Sequence, residues 1–361
     1  MTGRAHWTGW EAPGPAAALA RTSVVVLYGG TSAEREVSIR SGRAVAAALA
    51  SEPPPASVTS VEISSAGRWI VAGEAIPPAA ALERLPADAL FFLGLHGGEG
   101  EDGRVQAFLE LAGRRFTGSP HLPSARCMDK HLARLLFAHA GLRVAPGQLV
   151  KPADWRAQGR RGLEEFARAG GPWYVKPRCG GSSVATFRVA EPAGLAAAVE
   201  RVFATGDDAL VERSIQGLEV TCAVFGNRGT PPTSLPVVEI TPREGRFFDY
   251  TEKYAEGGAV EVCPPEQLPP ELADRVEQAA RTAYLAADCE GYARVDFIVP
   301  DTEPRTPVVL EANTLPGLTA RSLLPLAAGA TGVSFREMCL EICSLALART
   351  GSEGQGTGHG E

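Results

Sequence analysis

Short apolar runs alternate with amphipathic segments over the first third of this chain. SVVVLYGG (residues 23–30) has the continuous apolar texture of a buried strand. TSAEREVSIRSGRAVAAALA follows with helical spacing, and Thr31 and Glu34 stand at capping-box separation. VTSVEI and ALFFLGL repeat the strand signal, the latter running into HGGEGEDG and then a helical VQAFLELAG. Strand, glycine turn, helix is the entry to a parallel α/β unit, which binds ligands beyond the carboxyl ends of its strands. We expect this unit to span 21–118, after a loose N-terminal extension over 1–20.

From SARCMDKHLARLLFAHAG, read as one helix stopped by Gly141, the texture changes. Strands at RVAPGQLV, WYVKP and VATFRV alternate with helices at WRAQGRRGLEEFARAG and PAGLAAAVERVF, which predicts a small α+β unit over 119–211. The third part, 212–349, continues from ALVER through GLEVTCAVFG, LPVVEI, a helix near ELADRVEQAARTAYLAA and a last helix over VSFREMCLEICSLALA. The Gly-rich polar tail, 350–361, reads as disordered.

Within the third part, RVDFIV and VVLEAN read as β-branched strands joined by the proline-rich PDTEPRTP. Residues two apart share a strand face, so Arg294 pairs with Asp296 and Glu311 with Asn313. An antiparallel fold-back would gather Asp296, Glu311 and Asn313 beside one guanidinium. Such an all-oxygen cluster suits a hard divalent cation such as magnesium. Solvent-facing edge charges are the plain alternative for either strand alone, and the matching pairs on two adjacent strands weigh against it.

Composition narrows the class. The chain has 361 residues and 45% hydrophobic content, enough for two or three domains. Its net charge of −7 and lack of a Lys/Arg block give no case for nucleic acid or an anionic membrane as partner. Seven cysteines, without CxxC or zinc spacing, fit a reducing cytoplasm, and Cys339 and Cys343 read as helix core. No apolar run reaches the length of a membrane helix, and the first residues make a poor signal peptide.

Two glycine-rich turns carry candidate chemistry. Gly98-x-Gly100-x-x-Gly103 formally matches a dinucleotide fingerprint, which would make the chain an oxidoreductase. Glu99, Glu101 and Asp102 would crowd the pyrophosphate, so a small zwitterion beside His96 fits better. In KPRCGGSSV, Lys176 leaves a strand and Gly180, Gly181, Ser182 and Ser183 form a turn whose amides and hydroxyls can cradle phosphate. The lysine precedes the glycines, so this is no Walker A loop, and alone it would pass for a hairpin turn. Lys130 lies in the first turn of a helix, an unfavourable end for a cation unless an anion sits nearby.

GGTSAEREVS, HGGEGEDG, MDK, KPRCGGSSV, GLEVT, DYTEKY, RVDF and LEANTLPG stand in the order found in D-alanine–D-alanine ligases, which the chain resembles over about 22–345. That resemblance implies a three-domain ATP-grasp architecture, with ATP between the central and C-terminal domains. It implies ATP-binding roles for Lys130, Lys176, Glu212, Ile215 and Glu219, and two magnesium or manganese ions on Asp296, Glu311 and Asn313. Glu34 matches the residue that holds the first D-alanine's ammonium, with His96 in the wall of that subsite. Ser182 and Tyr254 match its hydrogen-bonded partners, and Lys253 a phosphate contact. Arg294 and the Gly317 amide match the oxyanion pair, and Ser322 and Leu323 the pocket for the second carboxylate. The implied activity is ATP-dependent joining of two D-alanines for peptidoglycan, in a cytoplasmic enzyme that can form a homodimer. The alternative is a related ligase joining another amino or hydroxy acid pair. Gly180, Ala185 and Arg321 depart from the common pattern, where glutamate, glycine and histidine occur.

Overall fold

Burial on both faces selects the first strand: Val24 through Gly29 of β1 (Ser23–Gly29) are all buried. In the computed structural model, which describes residues 18–51, 55–181, 185–241 and 259–349, β1 is central to a six-stranded sheet. Its neighbours β2 (Ser57–Ile63) and β5 (Leu90–Leu93) run parallel to it, as does β6 (Arg115–Phe116) beside β5. The far edge adds a feature that the sequence reading did not include: β3 (Trp69–Val71) and β4 (Glu74–Ile76) extend the parallel unit by antiparallel pairing beyond β2. The short turns after Ile63 and Val71 leave no room for the crossover that a parallel connection needs. The helix Arg35–Ala50 follows β1 with Glu34 itself at the N-cap, so Thr31 and Glu34 do not make the anticipated capping box.

The second sheet has the order β10-β9-β11-β8, from β8 (Gly147–Val150), β9 (Trp173–Pro177), β10 (Phe187–Val189) and β11 (Ala209–Arg213), all antiparallel. Two readings change here. ALVER joins this sheet rather than the third part, because its alternate residues pair with β9 and β8 on both sides. RVAPGQLV is two strands: β7 (Arg143–Val144) pairs with the third sheet, and the chain turns at Pro146, which has no N–H to donate to a ladder.

The third sheet runs β15-β14-β12-β16-β17-β7, with β13 (Thr233–Ser234) paired to β12. Its members are β12 (Gly217–Gly226), β14 (Val238–Thr241), β15 (Val260–Val262), β16 (Gly291–Pro300) and β17 (Val308–Asn313). The helix expected over SARCMDKHLARLLFAHAG is broken in two, His121–Met128 and Lys130–His139. Asp129 leaves helical geometry between them and caps the second through His131 and Leu132 N–H, at 3.1 and 3.0 Å. Phe137 and Ala133 of that helix pack with the third sheet's core, so this segment belongs structurally with the third sheet.

Three cores result. One lies under the second sheet, around Trp173 and Val199. Another lies between the third sheet and the helix Pro270–Ala286. The largest welds the first sheet to the C-terminal helices Leu323–Ala330 and Phe335–Ala348, with Phe91, Phe92, Cys339 and Cys343 fully buried together. Each such phenylalanine contributes about 1.5–3 kcal/mol of burial energy. The first sheet and these two helices are thereby fixed against each other, which sets the loop after β17 over the loops of the first sheet. Of the loose extension expected over 1–20, residues 1–17 lie outside the described residues, while Leu19 is buried in the first sheet's core; the tail 350–361, Ser182, Lys253 and Tyr254 also lie outside them.

Candidate active site

The polar pairs of β16 and β17 meet in antiparallel register, Arg294 opposite Asn313 and Asp296 opposite Glu311. A bulge follows immediately between Asp296 and Phe297, so the ladder is regular through the polar residues and shifts just beyond them. Arg294 grips Asp296 with two donors, Nε to Oδ1 at 2.8 Å and Nη2 to Oδ2 at 2.9 Å. Thr221, opposite Asp296 on β12, donates its hydroxyl to Oδ1 at 2.6 Å. Glu311 receives the Lys130 ammonium at 2.5 Å. Burial disfavours that charge, yet Glu311, then Glu101 and Glu212, hold the Lys130 pKa above its ordinary value. The cation at a helix start thus has its anion, supplied by a strand 181 residues away.

These residues stand where two cavities meet. Lys130, Gly180, Gly181 and Glu311 line both. The larger, about 730 Å³, opens between the second and third sheets and is lined by Lys176, Glu212, Ile215, Glu219 and Asp296. Lys176 is 2.6 Å from Glu212, and Arg134 Nε approaches the other oxygen of that carboxylate at 3.3 Å without hydrogen-bond geometry. The smaller, about 430 Å³, lies under the first sheet's loops and is lined by Glu34, His96, Arg294, Asn313, Gly317, Ser322 and Leu323. Every sequence-predicted site residue among those described therefore faces one or the other.

Glycines bring the backbone close around Glu34. A Cβ on Gly97 would come within 2.4 Å of Glu34 Oε2, and one on Gly181 within 2.7 Å. Three segments far apart in sequence thus converge on one buried carboxylate. The glycine turn has its own backbone demands. Gly180 sits at φ +125°, which side chains rarely adopt, so glutamate is ill suited to this backbone. Ala185 sits at φ +57°, the left-handed region, where glycine would avoid a cost of about 1–2 kcal/mol.

His96 is a clamp as well as a wall. Its Nδ1 lies 2.9 Å from the Leu315 carbonyl, which can only accept, so Nδ1 carries the proton and Nε2 accepts from the Ser41 hydroxyl at 2.9 Å. Ser41 also accepts from Leu318 N–H at 3.3 Å. Burial, together with nearby Arg294, lowers the His96 pKa to about 4 against the Leu315 bond. The folded state therefore keeps His96 neutral while the unfolded chain takes up a proton below about 6.5. The stability this gives is present above pH 6.5 and is lost as pH falls towards 4, reaching about 3 kcal/mol. Urea unfolding at pH 7 and pH 4.5 should show wild type losing more stability than His96→Asn. Equal losses would contradict a buried neutral histidine.

Glu101 is the site residue that the sequence reading passed over as turn charge. It is buried, lines the smaller cavity and accepts the Gly97 N–H at 2.9 Å. Burial first, then the Glu34 charge, raises its pKa to about 8. This geometry also removes the dinucleotide reading of Gly98–Gly103. The first two glycines open a helix of one turn, Gly98–Glu101, and Glu101 takes the Gly97 amide that a pyrophosphate oxygen would need.

Among the described residues no three His, Cys, Asp or Glu side chains gather as a ready-made metal site. The donor set nevertheless fits a hard cation. Asp296 and Glu311 are paired in register and now compensated by Arg294 and Lys130, with Asn313 two pairs further along and so on the same face as Glu311.

Three α/β sheets with a cavity between the second and third, floored by paired acids, define an ATP-grasp fold. The profile of the D-ala D-ala ligase C-terminus matches residues 136–344, and that of the D-ala D-ala ligase N-terminus matches 23–85. The chain is 38% identical over 315 residues to a D-alanine–D-alanine ligase of Clostridium botulinum, covering 87% of this chain and 95% of that one. Its fold is similar to that of the VanG D-Ala:D-Ser ligase from Enterococcus faecalis, with TM-score 0.76, 31% identity and 90% and 99% coverage of the two chains. It is also similar to the D-alanine–D-alanine ligase from Bacillus anthracis complexed with ATP, with TM-score 0.72, 30% identity and 91% and 97% coverage. The chain belongs to the D-alanine–D-alanine ligase family.

Proposed function

We propose that this protein joins two D-alanine molecules at the expense of ATP, making D-alanyl-D-alanine for peptidoglycan synthesis in the cytoplasm. The observation that carries the reading is the register of Arg294, Asp296, Glu311 and Asn313 at the junction of the two cavities. A phosphoryl group held there can be reached from either side.

ATP occupies the larger cavity, with Lys176 and Lys130 neutralising phosphate charge and Glu212, Ile215 and Glu219 around the nucleoside. Asp296, Glu311 and Asn313 would hold two Mg²⁺ or Mn²⁺ ions, which supply charge neutralisation for the transferred phosphoryl group. The first D-alanine sits in the smaller cavity, its ammonium on Glu34. Its carboxylate attacks the γ-phosphate, and an acylphosphate and ADP result. The second D-alanine, as free amine, attacks the activated carbonyl. Arg294 and the Gly317 N–H stabilise the oxyanion before phosphate leaves. Arg294 is pre-oriented for this by its two bonds to Asp296. Ser322 and Leu323 hold the second carboxylate, and Ser182, Tyr254 and Lys253 keep the substrate and phosphate roles that the family resemblance gives them.

The test is a substrate panel with phosphate release and product mass as readouts. D-alanine alone should give ADP, phosphate and the dipeptide, with little product from D-lactate as second substrate. Faster coupling to D-serine or D-lactate than to D-alanine would overturn the substrate assignment. The phosphate-binding turn has its own check. Hydrogen exchange over residues 176–181 and 185–188 should slow on adding ATP and Mg²⁺, as for a closing lid. Unchanged exchange there would place the nucleotide elsewhere.

A further inference from the structure

Of the four Lys and Arg side chains that line the smaller cavity, two have partners and two have none among the described residues. Lys130 is paired with Glu311 and Arg294 with Asp296. Arg40 and Arg321 both line the cavity and are exposed, and neither has a hydrogen bond or ion pair among the described residues. They come from distant parts of the chain. Arg40 is on the helix Arg35–Ala50, next to Ser41, and Arg321 is in the loop after β17, next to Ser322. The Ser41–Leu318 and His96–Leu315 bonds tie these two segments together. The pairing of the arginines over one cavity is therefore a product of the fold.

We propose that Arg40 and Arg321 form a cationic rim that captures the carboxylate of the second, attacking amino acid and so sets the affinity of that subsite. The proposal rests on the ligase reading above. Glu34, Glu261 and Glu311 line the same cavity, an unfavourable field for an incoming anion. The first amino acid's carboxylate is consumed at the inner end, where Lys130 and Glu311 meet the larger cavity. The second amino acid's carboxylate keeps its charge throughout the reaction and must lie away from that end, beside Ser322. Arg321 adjoins Ser322 in the chain and Arg40 lines the same cavity, and their planar forks suit a carboxylate. Their exposure means that little of the fold depends on them.

The experiment is steady-state kinetics of wild type, Arg321→Ala, Arg40→Ala, the double variant and Arg321→Lys, over a D-alanine range that resolves the two binding steps. Each alanine variant should raise the second-site KM about tenfold, as for loss of one charge-assisted hydrogen bond. The double variant should raise it further, with the ATP KM and first-site KM within about twofold of wild type. Arg321→Lys should recover part of the loss. Raising salt should weaken the wild-type second-site KM more steeply than that of the double variant. An unchanged second-site KM in both single variants would overturn the rim. So would a drop in kcat and thermal midpoint that lysine does not rescue, because that marks a structural role. A wild-type protein that makes no dipeptide refutes the ligase reading itself, which is read out before any variant is compared.

Discussion

Glu311→Gln is expected to lower turnover by about two orders of magnitude or more while the protein stays folded. The substitution keeps the size of the side chain and leaves an oxygen for Lys130, whose ammonium is 2.5 Å away. It removes the charge that stands opposite Asp296 on the neighbouring strand. Two functions are lost together: the negative charge of a ligand for the proposed cations, and the counter-charge that lets a buried lysine stay protonated at the phosphate junction. Leaving that lysine without its carboxylate also costs stability, although the amide blunts the penalty. Phosphate release at saturating magnesium measures the first effect and the thermal midpoint the second. A variant that keeps most of the wild-type turnover would sink the metal assignment.

Arg294→Lys should lower turnover by about 10²–10³-fold, equivalent to about 2.7–4 kcal/mol of transition-state stabilisation. A guanidinium can hold both oxygens of Asp296 and still present its remaining N–H to a reacting oxygen. An ammonium offers one point of charge on a flexible stem. The ion pair is almost closed to solvent, with side chains 11% and 8% exposed, so the misplaced charge is poorly screened. ATP affinity should change far less, because Arg294 lines the smaller cavity rather than the nucleotide cavity. The split between kcat and the ATP KM decides the point. Weakened ATP binding with unaltered turnover would move this residue to the nucleotide.

Much of this site was legible because its chemistry is local in sequence. A period of two puts Arg294 with Asp296 and Glu311 with Asn313, and a short connection favours the antiparallel return, whereas the exact register and its bulge after Asp296 are read only from the structure. What escaped the reading depends on long-range packing. Pro146 divides an apparent single strand between two sheets, and ALVER is claimed by partners more than thirty residues upstream. Glu101 looks like one more charge in an acidic turn. Its burial arises only because the helix Gly98–Glu101 seats Gly100 against Leu95, where a Cβ would approach to 2.6 Å. Arg40 likewise reads as an ordinary exposed helix residue, and only the loop after β17 turns its surroundings into a cavity wall.

Carboxylate activation is the centre of the account, and isotope transfer tests it most directly. D-alanine carrying ¹⁸O in its carboxylate is turned over with ATP and Mg²⁺, and the phosphate released is analysed by mass. Attack of the carboxylate on the γ-phosphate, followed by displacement of phosphate by the second amine, must leave one labelled oxygen in inorganic phosphate and ADP as the nucleotide product. Phosphate without label, or AMP in place of ADP, would contradict an acylphosphate route in this protein.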